Sequence, residues 1–120
     1  MKSENIIADK SFSFAVRIVK LYRHLRETRH ESILSKQLLR SGTSIGANVK
    51  EALRGQTRAD FGAKMNIALK EASETEYCIE LLYKTDLLNE KEYNSIQAEC
   101  RELNKILISI VKSVFNSKTT

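Results

Sequence analysis

Residues 89–115 read NEKEYNSIQAECRELNKILISIVKSVF. In them Tyr93, Ile96, Cys100, Leu103, Leu107, Ile110 and Val114 recur at intervals of 3, 4, 3, 4, 3 and 4. That heptad seam keeps one face of an α-helix apolar; a half-buried strand would alternate every second residue instead. Asn89 stands where a helix needs an N-cap, and Glu92, three residues on, completes a capping-box-like pair. The stretch before it has the same grammar. Thr57-Arg58-Ala59-Asp60 resembles a capping box with Asp in place of Glu or Gln. Phe61, Met65, Ala68, Ala72, Thr75, Ile79 and Leu82 then repeat at 4, 3, 4, 3, 4 and 3, up to an end near residues 84–86.

Two further helices are expected upstream. The first spans about 8–28, with Asp9 or Ser11 as N-cap and Phe14, Ile18, Leu21 and Leu25 on its core face. Phe12, Val16 and Val19 form a second apolar face, more than one bundle needs. The second helix spans about 32–54, starting at Ser32 or Ser35. Its core face is Leu38, Gly42, Ile45, Val49 and Ala52, and Gly55 closes it in the place of a left-handed C-terminal residue. Lys36, Arg40, Lys50 and Arg54 form an outward basic stripe, and Ser41, Ser44, Asn48 and Glu51 form a polar flank beside the core face. With helices at about 58–84 and 90–115 and short connectors between them, residues 1–120 form one domain, an all-α, antiparallel up-down-up-down four-helix bundle.

Composition agrees. The 120 residues include no proline and only 4 glycines, so little in the chain breaks a long helix. Cys78 and Cys100 match no metal or disulfide spacing and read as small core hydrophobes in a reducing compartment. The polar N-terminal ten residues lack the apolar core of a secretory signal, and no apolar run is long enough for a membrane span; the expected location is cytoplasmic.

Neither histidine, His24 or His30, follows a Glu by three positions, so the di-iron bundle pattern is missing. Glu51, Glu71 and Glu74 could at most approach one another as a carboxylate cluster. No serine or cysteine sits in a nucleophile motif, and Gly42-x-x-x-Gly46 lies within a helix, where it suggests close approach of the third helix at Ala68 and Ala72. The polar flank reads as hydrogen bonds from Asn48 and Glu51 to helix 3 or to backbone, fixing register, in preference to a ligand site. No catalysis, cofactor, metal or small-molecule substrate is expected.

The run Gln37-Leu38-Leu39-Arg40-Ser41-Gly42-Thr43-Ser44-Ile45-Gly46-Ala47-Asn48-Val49-Lys50-Glu51-Ala52 resembles the signature of four-helix-bundle proteins encoded in intervening sequences of bacterial 23S ribosomal RNA genes. Phe61 and Ile67-Ala68-Leu69-Lys70-Glu71-Ala72-Ser73-Glu74-Thr75 resemble the family's second block. The resemblance covers residues 14–82 and reaches helix 4 only by pattern. It implies a ring-like homo-oligomer, a pentamer. A related branch is similar to the accessory proteins of diversity-generating retroelements, which are basic, barrel-shaped and nucleic-acid-binding.

Charge points the same way. Residues 1–60 carry 12 Lys/Arg against 6 Asp/Glu, a net +6, whereas residues 61–120 carry 8 against 9, a net −1. A basic half calls for an anionic partner. The expected contacts to RNA or DNA phosphates are Arg17, Lys20, Arg23, Arg26, Lys36, Arg40, Lys50 and Arg54, with Tyr22 as a stacking group. The competing reading is a scaffold whose basic face docks an acidic protein. Surplus apolar residues Phe12, Val16, Val19, Ile67 and Leu81 are expected at the oligomer interface.

Overall fold

The computed structural model describes the backbone of residues 2–116 and the side chains of residues 5–116; the C-terminal tail beyond Asn116, expected to fray, lies outside the described residues. Four helices follow one another: α1 Lys2–Glu27, α2 Leu34–Leu53, α3 Arg58–Lys84 and α4 Glu90–Asn116, with no strand among the described residues. Each packs on its neighbours in sequence and α1 also packs on α4, while the diagonal backbones stay farther apart. Residue pairs across the seams fix the directions. Ser11 lies by Gly46 and Ile18 by Gly42; Leu34 meets Cys78 and Glu51 meets Lys64; Ala72 meets Cys100 and Gly62 meets Val114; Lys10 meets Glu102 and His24 meets Glu92. Numbers rise on one helix as they fall on the next, so every neighbouring pair is antiparallel. The result is a rod of 51 × 21 × 21 Å.

The core is what the two periodicities require. Met65, Ala68, Ala72, Thr75, Ile79 and Leu82 of α3 are buried, with Phe61 at the margin; Ile96, Cys100, Leu103, Leu107, Ile110 and Val114 of α4 face them, with Tyr93 half-buried. Phe14, Ile18 and Leu25 of α1 and Leu38, Ile45, Val49 and Ala52 of α2 complete the interior. The α1–α4 seam is the loosest and carries polar contacts instead: the ion pairs Lys10–Glu102 at 3.2 Å and Arg17–Glu99, and His24 Nε2 at 3.8 Å from Glu92.

Four details depart from the sequence reading. First, α1 begins at Lys2, not near residue 8, because Ile7 stands seven residues before Phe14, extends the same stripe and is fully buried. Neither Asp9 nor Ser11 caps it; Ser11 is buried and donates its hydroxyl back to the Ala8 carbonyl at 3.3 Å. Second, α2 begins at Leu34, between Ser32 and Ser35, and Glu31, which the sequence pattern did not mark, caps it. Its carboxylate accepts from the backbone N–H of Ile33, Leu34 and Ser35 at 3.1, 2.9 and 2.8 Å. Third, Gly55 is not left-handed. That conformation falls to His30 (φ 57°) and Asp86 (φ 66°), where the connectors after α1 and α3 turn back. At Gly55 a Cβ would meet the Ala52 carbonyl at 3.1 Å and Asp60 Cβ at 3.2 Å, so glycine serves the tight α2–α3 corner. Fourth, Gly42 and Gly46 face α1, not α3. A Cβ on Gly42 would lie 2.8 Å from Ile18 Cγ1.

The α3 and α4 starts match expectation. Thr57 accepts from the Asp60 N–H at 3.0 Å, and Asn89 and Glu92 cap each other reciprocally at 2.9 and 2.8 Å.

Candidate functional site

Three surfaces hold the residues that the sequence singles out. The first is the polar side of the α2–α3 seam. Ser41 is buried and its hydroxyl pairs with Thr75 Oγ1 at 2.9 Å, while Thr75 donates its one proton back to the Glu71 carbonyl at 2.8 Å. Arg40 crosses to α3 and binds Glu74 at 2.7 Å and Glu71 at 3.3 Å. Those two carboxylates hold its guanidinium even more firmly protonated than usual. Glu51 pairs with Lys64 at 3.1 Å, and Asn48 donates to the Ser44 carbonyl of its own helix at 2.8 Å. Ser44 is half-buried and bonds to the Arg40 carbonyl. Within the flank, Ser41 and Glu51 reach across to α3, whereas Ser44 and Asn48 bond back to their own helix. Outside it lies a hollow of about 520 Å³, bounded by Gln37, Arg40 and Ser41 of α2 and by Ser73, Glu74, Tyr77 and Cys78 of α3.

The second surface is basic. The eight cations expected to act together are not one patch. Arg17 turns to α4, where Glu99 and Ser95 hold it, and Arg40 is held by Glu71 and Glu74. Both are neutralised. Lys20, Arg23, Lys36, Lys50 and Arg54 are exposed or half-buried on the outside of α1 and α2, and no ion pair engages them among the described residues. Arg26 donates to the Tyr22 hydroxyl at 2.9 Å and lies 5.5 Å from its ring centre, so the expected stacking group is already partnered. With Ile18 level with Gly42, the antiparallel register sets Arg23 level with Lys36. Lys20, Arg23, Arg26 and Lys36 therefore gather near the α1–α2 connector. Lys50 and Arg54 lie toward the far end, roughly 21 and 27 Å from Lys36 at 1.5 Å per residue.

The third surface is an apolar groove between α1 and α2. Ala8, Phe12 and Ala15 form one wall, Ala47, Val49 and Leu53 the other, Thr43 and Gly46 the floor, with Lys50 at the rim. Phe12 is 70 % exposed and Val16 41 %, while Val19 is half-buried. On α3, Ile67 is 40 % exposed and Leu81 half-buried.

Several polar residues escaped the sequence reading. Gln97 and Asn104, each one position past a seam residue and seven apart, are buried. Gln97 donates to the Glu76 carbonyl at 3.0 Å, and Asn104 donates to the Glu76 carboxylate at 3.0 Å, while Arg101 binds the other carboxylate oxygen at 3.2 Å. Their seven-residue spacing on the seam's edge is the signal that could have found them. Both cysteines are buried, as expected. Burial pushes the Cys78 thiol up to about 11, with Glu31 adding to it, and the Cys100 thiol up to about 12, with Glu76 adding to it. Thiols raised this far stay protonated at neutral pH. No group of three or more His, Cys, Asp or Glu residues that could hold a metal occurs among the described residues, and no described helix is long and apolar enough to cross a membrane.

The family model of 23S rRNA-intervening sequence proteins matches residues 3–109. The chain belongs to that family. A solved structure of a protein of unknown function from the S23 ribosomal protein family of Bacteroides thetaiotaomicron VPI-5482 is similar at 55 % identity, with a TM-score of 0.90, over 92 % of this chain and 98 % of that one. No curated protein matches. In this member of the 23S rRNA-intervening sequence family, the two blocks that carried the resemblance pack against each other. Residues 37–52 lie on α2 and 67–75 on α3, and the Ser41–Thr75 and Arg40–Glu71/Glu74 contacts join them.

Proposed function

We propose that this member of the 23S rRNA-intervening sequence family is a non-catalytic, cytoplasmic, homo-oligomeric protein that binds RNA or DNA through the cations beside the α1–α2 connector. The observation that carries the reading is that Lys20, Arg23 and Lys36 are left without acidic partners among the described residues, while nearby Arg17 and Arg40 are not. Cations without acidic partners can neutralise phosphates at no cost in broken ion pairs, and each phosphate neutralised releases counterions. One such patch is a weak binder. A ring of copies, a pentamer as the family likeness implies, presents it several times and gains by multivalency. The apolar groove at the other end of α1 supports assembly, since a 70 % exposed Phe12 on a groove wall is a residue that a neighbour would cover.

The test is fluorescence anisotropy with labelled RNA and DNA at low and physiological salt. Wild-type binding should fall steeply with salt. Changing Arg23, Arg26 and Lys36 together to Glu should abolish it with helicity intact, whereas changing Lys50 and Arg54 to Glu should leave most of it. If wild-type protein binds neither nucleic acid at micromolar concentration in low salt, the reading fails. The same unpaired cations would then favour the second reading, a scaffold that docks an acidic protein.

A further inference from the structure

We propose that the hollow between α2 and α3 receives one unpaired nucleobase of a single-stranded RNA, stacked on Tyr77, while the strand's phosphates lie on Arg23, Arg26 and Lys36. This rests on the nucleic-acid reading above and adds to it a site and a strand preference.

Charge decides between base and phosphate. Arg40 spends its guanidinium on Glu71 and Glu74, so the three groups together carry a net negative charge. A phosphate would be repelled there. A neutral base, whose edge carries N–H donors, would not; the Glu74 carboxylate, with one Arg40 contact at 2.7 Å, keeps acceptor capacity to meet such donors. Gln37 is exposed at the hollow's edge and offers both a carbonyl and an amide. Tyr77 is 68 % exposed, and the ring stack and cation contacts of the described residues involve Tyr22, Tyr83 and Tyr93 instead. A solvent-facing aromatic ring beside a polar cleft is the platform on which unstacked bases settle. The hollow's volume of about 520 Å³ is adequate for a base. Position joins this site to the patch. Lys36 and Gln37 are consecutive on α2, about 100° apart around the helix, so a strand on the cations has its bases within one turn of the hollow. Bases in a duplex are paired and stacked on each other and cannot enter.

The experiment compares a short labelled single-stranded RNA with the same RNA annealed to its complement, at low salt, against wild type, Tyr77→Ala, Tyr77→Phe and Gln37→Ala. Tyr77 is on the surface, so its replacement leaves the fold in place. Tyr77→Ala should weaken single-strand binding by about five-fold or more, leave duplex binding and the salt slope unchanged, and be rescued by Tyr77→Phe, which keeps the ring. Gln37→Ala should weaken the single strand by a smaller factor. Equal single-strand binding by wild type and Tyr77→Ala, or an equal loss on duplex, would overturn the base site and leave the cationic patch standing. Loss of all binding by wild type would overturn both.

Discussion

Glu31 shows how much one side chain can do that periodicity does not announce. Burial pushes its carboxyl up, but the backbone N–H groups of Leu34, Ser35 and Ile33 and the Ser35 hydroxyl outweigh that and leave its pKa below the ordinary 4.5. A lowered folded-state pKa means that the charge stabilises the native state above 4.5 and that this contribution disappears as pH falls through the lower folded value. Glu31→Ala should therefore cost about 1 kcal/mol at neutral pH, the usual scale of a lost N-cap. The gap between wild type and variant in urea melts should close as the solution is acidified below 4.5. A gap that stays constant would show that the carboxylate does not cap α2. The cysteines make a second residue-scale case. With thiols raised to about 11 and about 12 inside the bundle, Cys78 and Cys100 should resist a disulfide reagent under native conditions. Labelling should track the unfolded fraction across a denaturant series; prompt labelling of the native protein would show that the interior is open.

At the scale of the element, the α3–α4 pair was legible because its core positions keep a strict seven-residue period, and because Thr57, Asn89 and Glu92 supply cap chemistry in the expected places. The beginning of α1 was not, since a polar N-terminal stretch hid Ile7, whose place is set by burial against the other helices. Nor was the direction of Gly42. The spacing of two small residues reveals that a neighbour comes close but not which one, and α1 supplies it through Ile18. Of the candidate site, the sequence revealed the cations but not their partners. Arg17 and Arg40 are lost to Glu99, Glu71 and Glu74, residues on other helices that no local pattern links to them. Two substitutions test these seams. Gly42→Val would drive a branched side chain into Ile18 and should destabilise the fold by about 1–3 kcal/mol, read as a lower melting midpoint. Ile110→Asp would bury a charge in the α4 seam, where Ile110 is 7 % exposed, and should cost about 3 kcal/mol or more. An unchanged midpoint in either variant would mean that the face has been misassigned.

For the whole molecule, the two proposed surfaces stand apart along one rod. The apolar groove around Phe12 and the cations around Arg23 lie eleven residues apart on α1, roughly 16 Å at 1.5 Å per residue. A neighbour seated on the groove would leave the cations exposed to solvent, so assembly and nucleic-acid contact do not compete for the same atoms. Assembly is the reading most open to a direct test. If a second copy covers Phe12 and Val16, light scattering at micromolar concentration should give a multiple of the 13.7 kDa chain mass. Changing Phe12 and Val16 together to Asp should return a monomer that keeps its helices, because Phe12 is 70 % and Val16 41 % exposed and neither belongs to the core. The same variant should bind nucleic acid more weakly, though Arg23, Arg26 and Lys36 are untouched, since the patch is then presented once instead of repeatedly. The two readouts separate the causes: a monomer with undiminished binding would place the whole affinity in one patch, and a wild type that scatters as 13.7 kDa would leave the groove without a second copy to fill it.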